Sequence, residues 1–299
     1  MDRKKNRQFR ELLEKPGLIS VPVCYDAISA RMIESLGFKM MAMGGNGAMA
    51  SLLGYPDLGL ATATEMIGRA RQIAARTDIP LFVDADTGYG NILNVRRTVI
   101  EYEAAGASGI QLEDQDIPRK SSNLQEIRLV SAEEAAERIE VAVKAKRDPN
   151  TVIIAKTDCY YMDQNVDEAI RRAKMFVDAG ADIIMPAGGI DQNIDDLGKF
   201  VQALKNVPVV ADVAAKTREP LSDQKLEEMG FKMVTCGLAS LLYVCQALKD
   251  LLTHYKQTGS LGSFMDRAMD MKEYEQLIGR NEEYGIHKWL SNGSKDSHA

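Results

Sequence analysis

Amphipathic helical segments and short apolar runs alternate along the whole chain. In four places a helical segment ends in glycine and an apolar run follows within a few residues, at 36–43, 105–113, 179–186 and 229–236. Four further apolar runs lie elsewhere, at 18–23, 80–84, 150–157 and 208–213. Glycine ends helices readily because it adopts the left-handed backbone conformation at little cost. The pattern therefore predicts eight strands that are separated by helices.

This alternation also predicts the class of fold. Helical segments lie between the apolar runs, and clear examples are residues 132–145, 166–179, 195–204 and 238–255. Strands that alternate with helices form parallel sheets with right-handed crossovers, and strands that are apolar on both faces are buried on both sides. Eight such units in a chain of 299 residues favour an α/β fold of the (β/α)8 TIM-barrel type over an open sheet.

The C-terminal region extends beyond the predicted barrel. Glycines at 259 and 262 interrupt the pattern, and residues 264–290 then form one or two further helices with apolar side chains. An apolar helix face outside a complete barrel has to be buried, and a neighbouring subunit can bury it. We expect one barrel domain over 1–299, in which residues 259–290 are oligomerisation helices and the polar tail 291–299 is disordered.

Composition and charge narrow the class of protein. The net charge of -6 argues against binding to nucleic acid or to a membrane surface. No apolar run reaches the roughly 20 residues that span a bilayer, and the charged N-terminus is not followed by the apolar segment of a signal peptide. The four cysteines show neither a CxxC pair nor zinc-site spacing, which fits reduced thiols. We therefore expect a cytoplasmic protein.

Acidic residues follow two neighbouring predicted strands. Asp84 and Asp86 follow one apolar run, and Glu113 and Asp114 follow the next. The carboxyl ends of barrel strands hold the active sites of such folds. Carboxylates that converge there need a counter-charge, and Mg²⁺ suits them because it takes oxygen ligands. The alternative is that these acids lie on surface loops. The repetition on two strands favours a magnesium site.

Several segments together resemble one family. They are Val-Asp-Ala-Asp-Thr-Gly-Tyr-Gly at 83–90, Leu-Glu-Asp-Gln at 112–115, Gly-Tyr-Pro-Asp-Leu-Gly at 54–59, and parts of 25–31 and 167–182. With these motifs the chain resembles the isocitrate lyase / phosphoenolpyruvate mutase superfamily from about residue 8 to about residue 290. The combination of the first two motifs is highly specific.

The resemblance implies a function and an assembly. It implies an enzyme that acts on a 2-oxo or 2-hydroxy acid through a metal-bound, pyruvate-like enolate. Asp84, Asp86 and Glu113 match the superfamily's ligands for Mg²⁺, for which Mn²⁺ is the alternative ion, and some of these contacts pass through water. Asp57 matches an acid near the mouth of the active site. The resemblance further implies that the eighth helix is swapped between subunits in a dimer of dimers, which makes a homotetramer.

The loop after Glu113 departs from the pattern of the superfamily's lyases. The lyases carry Lys-Arg-Cys-Gly-His, where this chain has Arg-Lys-Ser-Ser-Asn at 119–123. A cysteine thiol with a pKa near ~8.5 exchanges a proton, whereas a serine hydroxyl needs an activating partner. Mutase and hydrolase branches have asparagine or threonine in this loop, so Ser121 and Asn123 stay as candidate catalytic residues beside Asp57 and Lys156. The alternative is a solvated loop at 119–123.

The substrate side of the predicted site departs further. Six positions differ from the residues of the superfamily. This chain has Ala42 in place of tyrosine, Gly44 in place of serine, Lys156 in place of arginine, Ala187 in place of glutamate, Asp212 in place of asparagine and Ala214 in place of threonine. Lysine keeps the charge of arginine but lacks its two-pronged geometry, and an aspartate at 212 repels a second carboxylate. The candidate substrate-binding residues are Gly44, Gly45, Asn46, Gly47, Lys156 and Asp212.

Two classes of function follow. The first is a Mg²⁺-dependent lyase that cleaves a C–C bond of a small 2-oxo or 2-hydroxy acid, with C–P bond mutase or hydrolase chemistry as the related alternative. In that alternative Arg119 and Lys120 serve a phosphoryl group. The second is a diverged member with a different reaction or a ligand-binding role. A small oxaloacetate-like acid fits the missing cysteine better than an isocitrate does.

Overall fold

The computed structural model describes residues 4–120, 127–187, 193–212 and 221–293. Ser121, Asn123 and Ala214, which the sequence singled out, lie outside these ranges. The chain forms two compact units, Met1–Leu241 and Leu242–Ala299. The boundary falls within a helix, upstream of the expected start of the C-terminal helices at residue 259.

The described part of the first unit alternates strands and helices. Its strands are β1 (Ile19–Val21), β2 (Val23–Cys24), β3 (Met41–Met43), β4 (Leu81–Asp84), β5 (Gly109–Glu113), β6 (Val152–Thr157), β7 (Ile183–Pro186), β8 (Val210–Asp212) and β9 (Met233–Thr235). Its helices are α1 (Lys4–Glu14), α2 (Ala27–Ser35), α3 (Gly45–Leu53), α4 (Ala63–Ala74), α5 (Ile92–Ala105), α6 (Ala132–Ala145), α7 (Tyr160–Asp163), α8 (Val166–Asp178), α9 (Ile194–Ala203) and α10 (Asp223–Met229). The alternation that the sequence predicted is confirmed.

The strands close into a parallel barrel. Strands β2 to β7 pair in chain order, and β9 pairs with both β1 and β8. A parallel bridge between Ile184 and Val209 connects the β7 side to the β8 side. On the other side Pro22 alone separates β1 from β2. Because proline has no N–H to donate, the predicted first strand divides there, although the Pro22 carbonyl still accepts a bond of 3.0 Å from Ala42.

The interior of the barrel is filled by apolar side chains and covered by α1 at one end. Phe9 of α1 is fully buried and belongs to the same cluster as Val21, Phe82, Ile154 and Met233. A Cβ atom at Gly109 would lie 2.7 Å from the Phe9 ring, so glycine at the start of β5 leaves room for this ring. The barrel is therefore a packed core, and chemistry is confined to the other end of its strands.

Glycine ends helices in the structure, as the sequence pattern predicted, and capping residues mark helix starts. Gly106 and Gly230 end α5 and α10 with φ of 98°. Asp26, Thr62 and Asn91 each form a capping box at the start of a helix, and such caps each contribute about 1 kcal/mol.

The second unit consists of most of α11 (Ala239–Thr258), a 3-10 helix (Gly262–Arg267), α12 (Met271–Leu277) and α13 (Arg280–Gly293). Helix α13 continues to Gly293, whereas the sequence placed a disordered tail from residue 291. The exposed apolar side chains of this unit include Met265, Met271 and Tyr274. Exchange of these helices between subunits stays a prediction. None of the helices in the described ranges is long and apolar enough to cross a membrane.

Candidate active site

The two acidic motifs meet at the carboxyl ends of adjacent strands. Strands β4 and β5 pair with Asp84 opposite Gln111, and the Glu113 amide donates a bond of 3.0 Å to the Asp86 carbonyl. The backbone therefore fixes the segment after β4 against the end of β5. This arrangement brings Asp84, Asp86 and Glu113 to one end of the barrel.

Asp86 has an unusual backbone and environment. Its φ of 50° lies in the left-handed region, which aspartate tolerates better than most residues. Its side chain is buried, and Oδ1 has no hydrogen-bond partner, although it lies 3.2 Å from the Arg119 guanidinium. Burial, followed by the charges of Asp84 and Glu113, raises the pKa of this carboxyl well above its usual range, against the lowering effect of Arg119.

Asp84 is held by backbone amides at the start of α3. The Gly45 amide donates to Asp84 Oδ2 at 3.3 Å, and the Asp86 amide donates to Oδ1 at 3.1 Å. A Cβ at Gly45 would lie 2.8 Å from Asp84 Oδ2. Gly44 is the N-cap of α3, so the predicted glycine loop is the N-terminal turn of a helix. Helix N-termini favour anions.

Arg119 lies among the acids, where the sequence left open a solvated loop. Its side chain is only 6% exposed, so the solvated alternative is wrong for this residue. Its guanidinium contacts Asp57 at very short range, and it also contacts Asp86 Oδ1 at 3.2 Å and Glu113 Oε1 at 2.7 Å. Arg119 thus joins carboxylates from three separate segments of the chain.

Both oxygens of Glu113 are bound by cations. Arg119 Nε lies 2.7 Å from Oε1, and Lys156 Nζ lies 2.9 Å from Oε2. Burial alone raises the pKa of this carboxyl, but the two cations outweigh it and lower the pKa to about 2. Glu113 is therefore a carboxylate throughout the neutral pH range.

Lys156 connects Glu113 to a second acid that the sequence did not single out. Its Nζ lies 3.4 Å from Asp158 Oδ1, and Gln115 Nε2 donates to Asp158 Oδ2 at 2.8 Å. Burial raises the pKa of Asp158 to about 6, although Lys156 opposes the rise. Desolvation lowers the pKa of Lys156, but Asp158 and Glu113 outweigh it and raise that pKa well above its usual value. Lys156 is hence a cation with two carboxylate partners.

Asp114, the fourth acid of the motifs, points elsewhere. It accepts bonds from the Thr157 hydroxyl at 2.7 Å, the Asp158 amide at 2.9 Å and Arg172 at 3.2 Å. These contacts connect the segment after β5 to β6 and α8. Asp114 therefore stabilises the barrel end and is not grouped with the other three acids.

Asp212 and Ala187 stand at the carboxyl ends of their strands, as the sequence predicted. Asp212 Oδ1 accepts a bond of 2.8 Å from the Thr235 hydroxyl. Burial raises the pKa of the Asp212 carboxyl, against the lowering effects of Thr235 and Lys156. Burial also raises the pKa of the Asp57 carboxyl, although the charge of Arg119 lowers it.

The donor set fits a hard divalent cation. Asp84, Asp86 and Glu113 offer carboxylate oxygens, which Mg²⁺ and Mn²⁺ prefer, and the buried Asp86 Oδ1 has no hydrogen bond. Within the described ranges, no group of three acids, histidines or cysteines is arranged to hold a metal ion. The guanidinium of Arg119 lies among these oxygens instead.

Sequence reasoning found most of this cluster and missed part of it. Five residues that the sequence singled out come together, either in direct contact or through Arg119: Asp57, Asp84, Asp86, Glu113 and Lys156. Asp158 was missed, although it follows β6 as Asp84 follows the apolar part of β4. Its position after a predicted strand is a signal that could have found it.

Comparison with known proteins shows the family to which the chain belongs. The family model for phosphoenolpyruvate phosphomutase matches residues 9–256. The chain is 35% identical to 2,3-dimethylmalate lyase of Eubacterium barkeri over 91% of this chain and 93% of that protein. It is 33% identical to the chloroplastic carboxyvinyl-carboxyphosphonate phosphorylmutase of Arabidopsis thaliana, over 95% of this chain and 84% of that one.

Solved structures agree as well. Oxaloacetate acetylhydrolase in complex with the inhibitor 3,3-difluorooxalacetate superimposes with a TM-score of 0.89 at 31% identity, over 96% of this chain and 97% of that one. Phosphonopyruvate hydrolase in complex with oxalate and Mg²⁺ gives a TM-score of 0.86 at 26% identity, over 95% and 98%. By its sequence and its barrel, the chain belongs to the PEP mutase/isocitrate lyase superfamily.

Proposed function

We propose that this protein is a Mg²⁺-dependent lyase that cleaves a C–C bond of a small 2-oxo or 2-hydroxy carboxylic acid. The observation that carries the proposal is the convergence of Asp84, Asp86 and Glu113 at the carboxyl ends of two paired strands. Buried carboxylates such as those of Asp86 and Glu113 need a counter-charge, which a divalent ion can supply. One relative, oxaloacetate acetylhydrolase, binds a small acid of this kind as an inhibitor, 3,3-difluorooxalacetate.

Asp84, Asp86 and Glu113 are the proposed ligands of the ion. When bound, Mg²⁺ supplies positive charge beside the oxygen on which negative charge develops as the C–C bond breaks. Asp84 is oriented for this by two backbone amides. Glu113 is kept ionised by its cationic neighbours. The protein thus orients Asp84 and keeps Glu113 charged, while Arg119 and Lys156 contact the Glu113 oxygens.

The N-terminal turn of α3 is the proposed site for the substrate's carboxylate. Gly45, Asn46 and Gly47 form this turn, and Gly44 caps it without a side-chain bond. Amide groups at a helix N-terminus stabilise an anion through hydrogen bonds and the helix dipole. Lys156 adds a fixed positive charge close by, although Glu113 and Asp158 already engage it. Its proposed role is therefore electrostatic orientation of Glu113 as well as substrate binding.

The remaining candidate residues bear on the size of the substrate and on proton transfer. Asp212 places a carboxylate at the end of β8, and this carboxylate repels a substrate that carries a further carboxylate beyond the two of oxaloacetate. An oxaloacetate-like acid avoids that repulsion better than an isocitrate does. Asp57, whose pKa is raised by burial, is a proposed proton-transfer residue. Ser121 and Asn123, outside the described ranges, stay candidates for the same role.

C–P bond chemistry is the second candidate. The observation that favours it is the pair of cations, Arg119 and Lys156, held beside the acids, because guanidinium and ammonium groups bind phosphoryl oxygens well. A relative of this kind is the phosphorylmutase of Arabidopsis thaliana. A diverged member that binds an acid without turnover is the third candidate.

The test is a product assay over a panel of acids with Mg²⁺. The panel holds oxaloacetate, 2,3-dimethylmalate, 2-methylisocitrate and phosphonopyruvate, and mass spectrometry follows pyruvate, oxalate and phosphate. We expect cleavage of a C–C substrate that stops with EDTA and in Asp86→Asn. Phosphate release from phosphonopyruvate alone would support C–P chemistry instead. Tight binding of an acid without any product would contradict both enzymatic proposals.

A further inference from the structure

The position of Arg119 bears on how a metal ion enters this site. Arg119 NH1 contacts Asp57 and Asp86, while Nε contacts Glu113. The three acids come from the segment before α4, the segment after β4 and the end of β5. Two of them, Asp86 and Glu113, are proposed ligands of the ion. Arg119 therefore binds the very oxygens that a divalent cation would use.

The guanidinium and a directly bound ion would use the same carboxylate oxygens. Mg²⁺ requires oxygen ligands at about 2.0–2.1 Å around one point. The Asp86 and Glu113 oxygens lie 3.2 and 2.7 Å from nitrogens of one planar guanidinium. No group of three acids within the described ranges is arranged for a metal ion. In this arrangement the two carboxylates contact an organic cation, and they have to move to enclose a metal ion.

The surroundings are shaped for the inward position of Arg119. Gly59 has a φ of 69°, and a Cβ there would lie 3.3 Å from Arg119 Cγ and 3.6 Å from the Arg119 carbonyl oxygen. Glycine at 59 allows the chain before α4 to pack directly on both the backbone and the side chain of Arg119. The same chain carries Asp57, which contacts the guanidinium. Gly59 and Asp57 therefore accommodate the Arg119 side chain in its inward position.

We propose that Arg119 is the internal counter-cation of the metal-free protein and that it competes with the divalent ion for Asp86 and Glu113. This inference rests on the metal site of the proposed function. Without the ion, Arg119 neutralises buried carboxylates that would otherwise repel one another. Binding of the ion displaces the guanidinium from Asp86 and Glu113. The cost of that displacement lowers the apparent affinity for the metal.

If Arg119 stayed beside the acids when the ion bound, the affinity measurement would give a different result. Four acids (Asp57, Asp84, Asp86 and Glu113) balance two cationic side chains and one divalent ion, so charge alone would allow Arg119 to stay. In that case Arg119 would offset the repulsion among the acids, and its removal would leave metal affinity unchanged or weaken it. The sign and size of the change in affinity separate the two arrangements.

The experiment measures Mn²⁺ binding to the substrate-free protein by electron paramagnetic resonance. The variants are Arg119→Gln, Arg119→Lys and, as the matched control, Arg128→Gln, which removes an exposed arginine 3.6 Å from Asp116. We expect Arg119→Gln to bind Mn²⁺ at least tenfold more tightly than the wild type. Arg119→Lys should be intermediate, because lysine keeps the charge without the planar fork. Arg128→Gln should match the wild type.

Thermal unfolding of the same proteins supplies a second readout. Metal-free Arg119→Gln should unfold at a lower temperature than the wild type, and Mn²⁺ should raise its unfolding temperature by more. If Arg119→Gln does not fold, the wild type can be tested with phenylglyoxal and peptide mass spectrometry. Arg119 should be protected in the metal-free protein and react once Mn²⁺ is added.

The outcomes separate this inference from the proposed function. Equal or weaker Mn²⁺ binding by Arg119→Gln, or phenylglyoxal protection of Arg119 that Mn²⁺ does not relieve, would overturn the competition while leaving the metal site standing. Absence of Mn²⁺ binding in the wild type and in Arg119→Gln would overturn the metal site, and the inference with it.

Discussion

The Thr157 hydroxyl donates a hydrogen bond of 2.7 Å to Asp114, whereas Glu113, the preceding residue, binds Lys156 at 2.9 Å. Two successive acids at the end of β5 thus contact different sets of groups. Glu113 belongs to the candidate active site, and Asp114 holds β6 and α8 in place. Variants of these two acids should therefore differ in what they change.

Asp114→Ala should lower the free energy of unfolding by about 2 kcal/mol or more, because it leaves the buried Thr157 hydroxyl and Asp158 amide without their acceptor. Arg172 also loses a partner but keeps Glu168. Affinity for the metal should change little, since Asp114 does not face Arg119. Urea unfolding measures the first effect, and Mn²⁺ binding measures the second. The control is Glu101→Ala, which removes the exposed ion pair with Arg97 and should cost well under ~1 kcal/mol. Equal costs for the two variants would contradict this role of Asp114.

Asp86→Asn and Asp86→Ala should both abolish metal binding but differ in stability. Alanine at φ 50° carries a backbone cost of about 1 kcal/mol that asparagine largely avoids. Asparagine is therefore the better control for activity assays, since it removes the charge and keeps the local backbone. Mn²⁺ binding and thermal unfolding of both variants test this. Retained Mn²⁺ affinity in Asp86→Asn would argue against Asp86 as a ligand.

Asp212→Asn should improve the use of substrates that carry a third carboxylate, such as 2-methylisocitrate. The change removes a buried negative charge from the end of β8 and keeps an oxygen for the Thr235 hydroxyl bond. We expect KM for 2-methylisocitrate to fall about tenfold relative to oxaloacetate, in line with the loss of one like-charge contact. Steady-state kinetics measure the ratio, with Asp178→Asn, an exposed acid at the end of α8, as the control. An unchanged ratio would place the third carboxylate elsewhere.

Cys24 should resist alkylation at pH 8 in the native protein. Burial raises the pKa of its thiol from 9.0 to about 12, and the reactive thiolate is therefore scarce. Cys245 is exposed and should react under the same conditions. The pKa of the Cys24 thiol is higher in the native protein than in the unfolded chain. Titration of this thiol therefore leaves stability unchanged below about pH 9, and native stability falls as pH rises from 9 toward 12. Iodoacetamide with peptide mass spectrometry tests the reactivity, with guanidinium-unfolded protein as the reference. Rapid native labelling of Cys24 would contradict its burial.

The barrel and its acids were predictable because they follow from periodicity. Apolar runs ending in Asp84 and Glu113 place both residues at the same end of a parallel sheet, whatever the loops do. The glycine that follows each helix, as at Gly106 and Gly230, marks the helix ends directly. For this reason the strand order and the position of Asp84, Asp86, Glu113 and Asp114 at one end of the barrel did not depend on side-chain detail, whereas the choice of the first three as ligands came from the resemblance to the superfamily.

The contacts of individual side chains were not predictable in the same way. Whether Arg119 points outward or inward depends on Asp57, Glu113 and the space at Gly59, which come from distant parts of the sequence. The different orientations of Glu113 and Asp114 likewise depend on Thr157 and Lys156 across the sheet. Period-2 alternation allows such a division, but it does not say which acid lies in the site. Residues that meet only through tertiary packing leave no local pattern.

The contact between Gly45 and Asp84 has a consequence for anyone who evolves this protein for the proposed activity in the laboratory. A library that randomises residues 44–47 should return glycine at 45 in essentially every active clone, because any Cβ there would lie 2.8 Å from an Asp84 oxygen. Gly68 and Gly198 have open space where a Cβ would stand, with no neighbouring atom within 4 Å, and should accept alanine when a second library varies them. Changes in substrate specificity therefore have to come from substitutions at neighbouring positions, because position 45 has to stay glycine.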